Sequence, residues 1–453
     1  MLDPNQLLEL NKEYTFNVKV RDGNQLLAGE LFLSPKECTL LIMSERGLTN
    51  ISYDSEYIEC FDFQHNFILF ELSINNLESI ALNNTNHLKC NFKIGFIVCS
   101  RGKNLKPTEN IINSFTIDSP ALNKWLIYTK LQHKLLNPFS IHEVDPYQPI
   151  IEFNQSLKNY GDLYLSYKIK IYSDPDTFQA GIKIPPRLRI SFENLISTNT
   201  ISKEIDKIYN LMTLFFDSDF DINTIEISEL YSGASMICVY SSKFHKNINI
   251  KSPLLPLALN LNHAFANLKE IPLESFNNYY QLSNADQLLF VRYLRYKRMK
   301  SDEEKFLGYF RLLEKLTYKK KPYVDENLLN EILKRSRSYL AKKLGKKNSE
   351  IKDLASRVMK VNESKYNTTK CLEDFYSSIP AEIQQFLSFQ KSDISTICTL
   401  RNDITHANEY RLDDALLHNY TKFINALLFL ALTQKIGIPF DVCIPVARNL
   451  ERV

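Results

Sequence analysis

The sequence predicts an α+β protein in which a β-rich N-terminal region, residues 1–280, precedes an all-helical C-terminal region, residues 281–440. Up to about residue 240, apolar and polar residues alternate in segment after segment, which is the period of half-buried strands. After Tyr280 the apolar residues recur every three or four positions, which is the period of amphipathic helices. With 453 residues, the chain is long enough for each region to bury its own core.

The first predicted strands have one apolar and one polar face. Apolar residues alternate with polar ones from Tyr14 to Val20 and from Cys90 to Val98. Shorter apolar runs at 31–33, 40–43 and 67–72 are separated by turn-forming residues. This pattern predicts a mostly antiparallel sheet.

The rest of the N-terminal region contains a few helices, a junction and further strands. A helix is predicted over 119–136, with a proline just inside its start. Residues 137–150 contain three prolines, which interrupt both helices and sheet ladders, so we expect a subdomain junction there. Alternation over 163–171 predicts another strand, and the strands that follow are interrupted by an amphipathic helix over 202–216.

The C-terminal region carries the positive charge of the chain. Its helices are predicted at 284–299, 302–317, 325–344, 349–361, 380–388, 392–408 and 412–435. Residues 286–360 contain 21 Lys/Arg and 10 Asp/Glu, a local charge of +11 against +3 for the whole chain. Tyrosines are interleaved with these basic residues.

The composition excludes several classes of protein. The eight cysteines include no C-x-x-C pair and lie mostly in apolar runs, so we expect buried free thiols and no metal site. No glycines have the spacing of the two common nucleotide-binding loops, and no cofactor is expected. The most apolar stretch, 424–433, covers half of the roughly 20 residues that cross a bilayer, and the N-terminus does not resemble an export signal. We therefore expect a cytoplasmic protein with no membrane partner.

One hexapeptide carries residues suited to chemistry. Arg401-Asn402-Asp403-Ile404-Thr405-His406 contains the only arginine in the chain that is followed by a histidine five residues later. On a helical wheel, Arg401 lies in the middle of an apolar stripe that includes Ile394, Ile397 and Ile404. Burying its charge is unfavourable unless a partner or ligand compensates it, so we expect an anionic group beside Arg401.

The flank of the same predicted helix carries Asn402 and His406, one turn apart, so Asn402 is predicted to orient the imidazole. Glu314 lies on the margin of the apolar arc of an earlier helix and is the candidate ion-pair partner of Arg401. From residue types alone, a structural Arg/Glu pair with an uninvolved histidine remains the alternative.

A helical C-terminal region with an Arg-Asn-x-x-x-His motif resembles a HEPN domain, a family of small helical ribonucleases in toxin, abortive-infection and CRISPR-associated proteins. Residues 400–408 and the helix with Glu314 resemble the ApeA-like branch, in which a long β-rich region precedes the HEPN domain. Residues 190–193 and 208–216 are similar to the ApeA N-terminal region. Ala407 departs from this branch, which often has Gly there.

The resemblance implies an antiphage endoribonuclease that cleaves RNA without a metal, with tRNA as a candidate substrate, and causes abortive infection. His406 would act as general acid or base toward the ribose 2′-hydroxyl, Arg401 would neutralise the charge growing on the phosphorane, and Asn402 would position the base or the phosphate. The resemblance also implies a homodimer of HEPN domains, with the stripe around Arg401 facing the partner subunit. The N-terminal region would be a sensor of a phage-derived trigger or an autoinhibitor.

The basic, tyrosine-interleaved segment would then be the RNA platform, with phosphates contacting Lys/Arg and unstacked bases stacking on Tyr rings. The candidate RNA-binding residues are Lys319, Lys320, Lys321, Lys334, Arg335 and Arg337. The alternative is that these are only solvated helix faces.

Two alternatives from other classes stay open at this point. One is a non-catalytic HEPN-like interaction module whose N-terminal region binds a protein. The other is a housekeeping RNA-binding protein without cleavage.

Overall fold

The computed structural model describes residues 7–45, 48–52, 54–82, 85–137, 150–174, 179–230, 236–244, 252–263, 267–363, 366–406, 408–409 and 413–451. The chain divides into two compact units, Met1–Phe290 and Val291–Val453. The predicted junction at 137–150 falls almost entirely outside the described residues, as does Ala407.

The strands of the first unit are β1 (Tyr14–Asp22), β2 (Gln25–Leu33), β3 (Cys38–Ser44), β4 (Tyr57–Phe61), β5 (His65–Leu82), β6 (Thr85–Arg101), β7 (Asn110–Asp118), β8 (Ile150–Leu157), β9 (Gly161–Tyr167), β10 (Lys170–Asp174), β11 (Gln179–Lys183), β12 (Pro186–Ser197), β13 (Thr224–Glu229) and β14 (Met236–Tyr240). Every pairing between them is antiparallel. The predicted antiparallel, β-rich N-terminal region is confirmed.

The first six strands form a closed barrel. They pair in the order β3-β2-β1-β4-β5-β6, and β3 then pairs with β6 to complete the ring. Buried and exposed residues alternate strictly along β1, so that its apolar side chains fill one face. This is how the alternation seen in the sequence produces a barrel: each strand buries every second side chain inside.

Strand β6 belongs to both the barrel and a second sheet. Along one edge it pairs with β3 over Leu88–Ile94 and with β14 over Ile97–Arg101, while β5 runs along its other edge. The sheet continues from β14 in the order β13-β7-β12-β9-β8. Strands β10 and β11 form a separate hairpin.

Four helices complete the first unit: α1 (Ala121–Leu126), α2 (Lys130–Leu136), α3 (Ile201–Phe216) and α4 (Glu274–Tyr280). Most of α3 is buried, and its Phe215 ring stacks on Trp125 and meets Phe276 edge-on. The single helix predicted over 119–136 is wrong, because Ile127 has a φ of 68° and Thr129 caps a new helix. A β-branched residue at positive φ interrupts a helix in a way that apolar spacing does not reveal.

The helices that follow are α5 (Asn284–Lys297), α6 (Asp302–Thr317), α7 (Glu326–Leu344), α8 (Asn348–Asn362), α9 (Thr368–Ser378), α10 (Ala381–Gln384), α11 (Ile394–Thr405), α12 (Asp414–Lys435) and α13 (Phe440–Cys443). The helical C-terminal region is confirmed. Within the second unit, α13 and a 3-10 turn at 444–449 follow α12.

Helices α6 and α12 form the centre of the second unit, and α9 and α11 pack against α6. Helix α12 is long and apolar enough to cross a membrane by length and composition alone. Most of its apolar stretch is buried in the unit, as in the core helix of a helical bundle.

Helices α7 and α8 form an antiparallel hairpin and pack mainly on each other. Gly345, in the left-handed conformation at φ 60°, ends α7 and turns the chain. At the base of the hairpin, the side chain of Asn362 bonds the backbone of Val324. Near the tip, Arg337 donates to the backbone oxygen of Asn348.

Candidate active site

Helix α11 carries the motif that the sequence analysis singled out. A 3-10 turn at 391–393 leads into this helix, and the Asp393 carboxylate accepts a hydrogen bond from the Gln390 N–H at 2.8 Å. The stripe residues Ile394, Ile397 and Ile404 are all buried within the second unit. The prediction that this stripe faces a partner subunit is therefore wrong: it packs inside its own bundle, where an isolated helical wheel cannot say what covers it.

Arg401 lies in this helix as predicted, beside a carboxylate. Its Nη2 atom is 2.8 Å from Oε2 of Glu314 on α6, and the two side chains are 24% and 30% exposed. The guanidinium also lies over the ring of Phe310, with its carbon 5.5 Å from the ring centre. The ion pair predicted from the sequence is present, and the cation–π contact adds a second restraint on the same charge.

Glu314 is held from its other side by a residue that the sequence analysis missed. Thr368 Oγ1 donates to Glu314 Oε1 at 2.6 Å, so the carboxylate bridges Arg401 and the first turn of α9. No helix was predicted over 366–379. The signal was present in Asn367, which caps α9, followed by apolar residues at helical spacing.

The side chain of Asn402 contacts Arg401 and not the histidine. Its Oδ1 accepts a hydrogen bond from Arg401 Nη1 at 3.0 Å. The predicted orientation of the His406 imidazole by Asn402 is not observed, because α11 ends at Thr405 and His406 no longer follows the helical wheel. The two residues are joined instead through the backbone, where His406 N–H donates to the Asn402 oxygen at 2.9 Å.

His406 is the exposed residue that ends α11. The chain after it is tied back to Asp403 by Asn408, whose backbone N–H and side-chain amide both donate to that residue, at 2.9 and 3.2 Å. The imidazole forms no hydrogen bond or ion pair with the described part of the chain. The ring is thus open to solvent, on a backbone that is restrained. The spacing of the motif could predict neither the turn after His406 nor the role of Asn408 in it.

Burial raises the pKa of the neighbouring Cys398 thiol, and the Glu314 carboxylate raises it further, although Thr369 and Arg401 oppose the shift. Cys398 therefore stays neutral beside the ion pair. All eight cysteines are free and buried, which confirms the prediction from their sequence context. Among the described residues, no group of three His, Cys, Asp or Glu side chains is placed to hold a metal ion.

The candidate RNA-binding residues lie on the hairpin and at its base. Lys320 is 2.8 Å from Glu363, Arg335 pairs with Glu331, and Arg337 is used to close the hairpin. Lys321 lies over the ring of Tyr366 at 5.0 Å. Lys319 and Lys334 form no ion pair with another residue that the structure describes. Three of the six lie on α7 and three in the segment that precedes it, and together they do not form one uniformly free cationic surface.

The comparisons with known proteins agree with this architecture. A family model described as Apea-like HEPN matches residues 307–441, which run from α6 through α12 into α13. A second model, the ApeA N-terminal domain 1, matches residues 13–271, more than half of the chain. No curated protein and no solved structure gives a significant match.

The second unit therefore contains a HEPN domain, and HEPN domains are generally ribonucleases. The chain belongs to the ApeA-like HEPN family, which makes it a HEPN antiphage defence protein. The resemblance inferred from Arg401, Asn402 and His406 is confirmed.

Proposed function

We propose that this protein is a metal-independent endoribonuclease whose catalytic residues are Arg401, Asn402 and His406, with Glu314 in a supporting role. The observation that carries the proposal is the arrangement at the end of α11. A restrained guanidinium, an exposed amide and an exposed imidazole follow one another on one helix end within six residues.

Arg401 is suited to stabilise a developing phosphorane. A guanidinium has five N–H groups, and the contacts with Glu314 and Asn402 each use one of them. The remaining donors are available to phosphate oxygens. Since Glu314 and Phe310 hold the group before substrate arrives, little reorganisation is needed when charge develops.

His406 supplies the proton transfer. The neutral imidazole removes the proton from a ribose 2′-hydroxyl, the 2′-oxygen forms a bond to phosphorus, and the bond from phosphorus to the 5′-oxygen breaks. The leaving oxygen takes up a proton from an imidazolium or from water. The products are a 2′,3′-cyclic phosphate and a 5′-hydroxyl, and no cofactor takes part.

A homodimer through the HEPN domain would provide two copies of His406 for the acid and base steps. Such a dimer must use a surface other than the buried stripe of α11. Lys319 and Lys334 are the freest of the candidate RNA contacts, and they would bind phosphates in a salt-dependent manner. We further propose that the protein is cytoplasmic, that a phage-derived trigger acts through the N-terminal region, and that cleavage, with tRNA a candidate substrate, produces abortive infection.

The test compares the purified wild type, His406→Ala and His418→Ala on total RNA and on a defined oligonucleotide. His418 is the matched control, because it is an exposed histidine of the same unit, paired with Asp302. We expect His406→Ala to reduce cleavage by about 10²- to 10⁴-fold and the control to retain it. Cleavage should proceed in EDTA and stop on a 2′-deoxy sugar at the cut position.

Three outcomes would contradict the proposal. Undiminished cleavage by His406→Ala would remove the histidine from the mechanism, and 5′-phosphate products with a strict Mg²⁺ requirement would show a different reaction. RNA binding without cleavage, or neither activity, would leave the Arg401–Glu314 pair as a structural element of an RNA-binding or interaction module.

A further inference from the structure

The hairpin of α7 and α8 carries apolar side chains that the described part of the protein leaves exposed. They are between 36% and 64% exposed and recur at helical spacing: Leu328, Ile332 and Tyr339 on α7, and Leu354, Val358 and Val361 on α8. No side chain of α7 is buried, although the helix is amphipathic over 19 residues. A helix with this pattern normally covers its apolar side against another element.

The two exposed rows lie on the same side of the hairpin. On α7, which packs on α8, Leu333 and Leu340 are half-buried, and each follows an exposed residue by one position. On α8, Ala355 is likewise half-buried and directly follows the exposed Leu354. A step of one residue turns the side chain by about 100° around the helix axis. In two antiparallel helices that face each other, the same step back from the facing residue turns both side chains toward the same side of the hairpin. The rows therefore form one groove, about 16 Å long from Leu328 to Tyr339 at 1.5 Å per residue.

The tip of the hairpin is strongly basic. Lys342, Lys343, Lys346 and Lys347 surround the exposed Leu344. Within the described chain, Lys346 is the one of these four whose side chain forms an ion pair, with Glu350 at 3.9 Å, and the Lys347 backbone N–H also donates to Glu350. At the base, charges are balanced, as in the pair of Lys320 and Glu363. The groove is thus apolar along its length and cationic at one end.

We propose that this groove binds an amphipathic helix of a partner protein, with the apolar side of that helix between α7 and α8 and its carboxylates over the lysine tip. A third helix would complete a three-helix bundle, the arrangement that buries one apolar face of each member. The groove length corresponds to about three turns of helix, and the lysine tip lies beyond it. This inference does not depend on the ribonuclease chemistry.

Other occupants fit the surface less well. A second copy would bring together two hairpins that each have 13 Lys/Arg and 6 Asp/Glu over residues 319–363, a charge of +7 apiece. RNA would use the lysines but has no contact to make with an aliphatic groove. A membrane-binding surface typically has Trp or Phe anchors, whereas Tyr339 is the one aromatic residue among these six.

The experiment uses the full-length protein and a fluorescein-labelled 21-residue helical peptide with leucines on one face and glutamates on the other. We expect saturable anisotropy in the micromolar range, and binding at least about tenfold weaker for the same peptide with lysines in place of glutamates. Ile332→Ser with Val358→Ser should weaken binding at least about tenfold. Lys342→Glu with Lys346→Glu should also weaken it, whereas Lys334→Glu with Lys360→Glu, the same charge change elsewhere on the hairpin, should not.

Absence of saturable peptide binding by the wild type, or binding unaffected by the Ile332 and Val358 substitutions, would overturn the proposal. Two further measurements assign the face to other occupants. If the wild type has the mass of a dimer and the Ile332 and Val358 variant has the mass of a monomer, the groove binds a second copy of the chain. If the wild type cosediments with phosphatidylglycerol-containing vesicles and the same variant does not, the groove binds a membrane. Circular dichroism of each variant establishes that the exposed substitutions leave the fold intact.

Discussion

The pair of Arg401 and Glu314 makes a quantitative prediction about stability. Both side chains are about three-quarters buried, so their interaction lies between an exposed ion pair, worth about 0–1 kcal/mol, and a buried pair, whose disruption costs about 3–5 kcal/mol. We expect a coupling free energy of about 1.5 kcal/mol. It is measured by a double-mutant cycle with Glu314→Gln, which can still accept from Thr368, and Arg401→Met, which keeps a side chain over Phe310.

The two-unit architecture supplies an internal control for this cycle. The single tryptophan of the chain, Trp125, belongs to the first unit, so its fluorescence reports that unit, whereas far-UV circular dichroism is dominated by the helices of the second. The dichroism transition should shift by about 2–4 °C per kcal/mol. The tryptophan transition should not move with these substitutions. A coupling below about 0.3 kcal/mol, within the error of additivity, would refute the view that Glu314 holds the guanidinium in place.

Three further predictions concern the fold. Ile397→Glu should unfold the helical unit, seen as loss of dichroism, and should not release a folded monomer in size-exclusion chromatography, because Ile397 is buried within the bundle. Gly308→Ala should destabilise that unit by about 1–3 kcal/mol in thermal unfolding, although Ala normally favours a helix, because the new Cβ would lie 2.4 Å from Cγ of Tyr296. Burial alone would raise the pKa of the Asp22 carboxyl, but hydrogen bonds from the backbone N–H groups at 49–51 outweigh it and lower that pKa. The ionised Asp22 should therefore stabilise the first unit above about pH 4, and this stabilisation should be lost as the pH falls through the lowered pKa. Asp22→Asn should remove this acid sensitivity from the Trp125 transition.

The sequence predicts those parts of the fold that depend on periodicity. The strict alternation of β1 and the helical spacing of α6 and α12 are properties of short windows, and both appear where they were expected. The closure of the barrel could not be predicted, because the pairing of β3 with β6 joins residues about fifty positions apart. Nothing in either strand alone specifies that partner.

The candidate site was predictable in its residue types and less so in its contacts. A charge in the middle of an apolar stripe requires a counter-ion, and this reasoning led correctly from Arg401 to Glu314. It could not show that the stripe packs inside its own unit, because a helical wheel gives the direction of a side chain but not what lies beyond it. The position of His406 depends on a turn in which Asn408 donates a hydrogen bond back to Asp403. This is a local contact that a helical wheel does not represent.

The sharing of β6 has a consequence for synthesis of the chain. The barrel is complete once residue 101 has left the ribosome, but the edge at Ile97–Arg101 waits for β14, which begins at Met236. At about 5–20 residues per second, that interval lasts roughly 7–27 s. During this time an unpaired edge with Ile97, Val98 and Cys99 is exposed in the nascent chain. Slowed translation between these two strands should lower the soluble yield of the protein, and a chaperone that binds nascent chains should restore it.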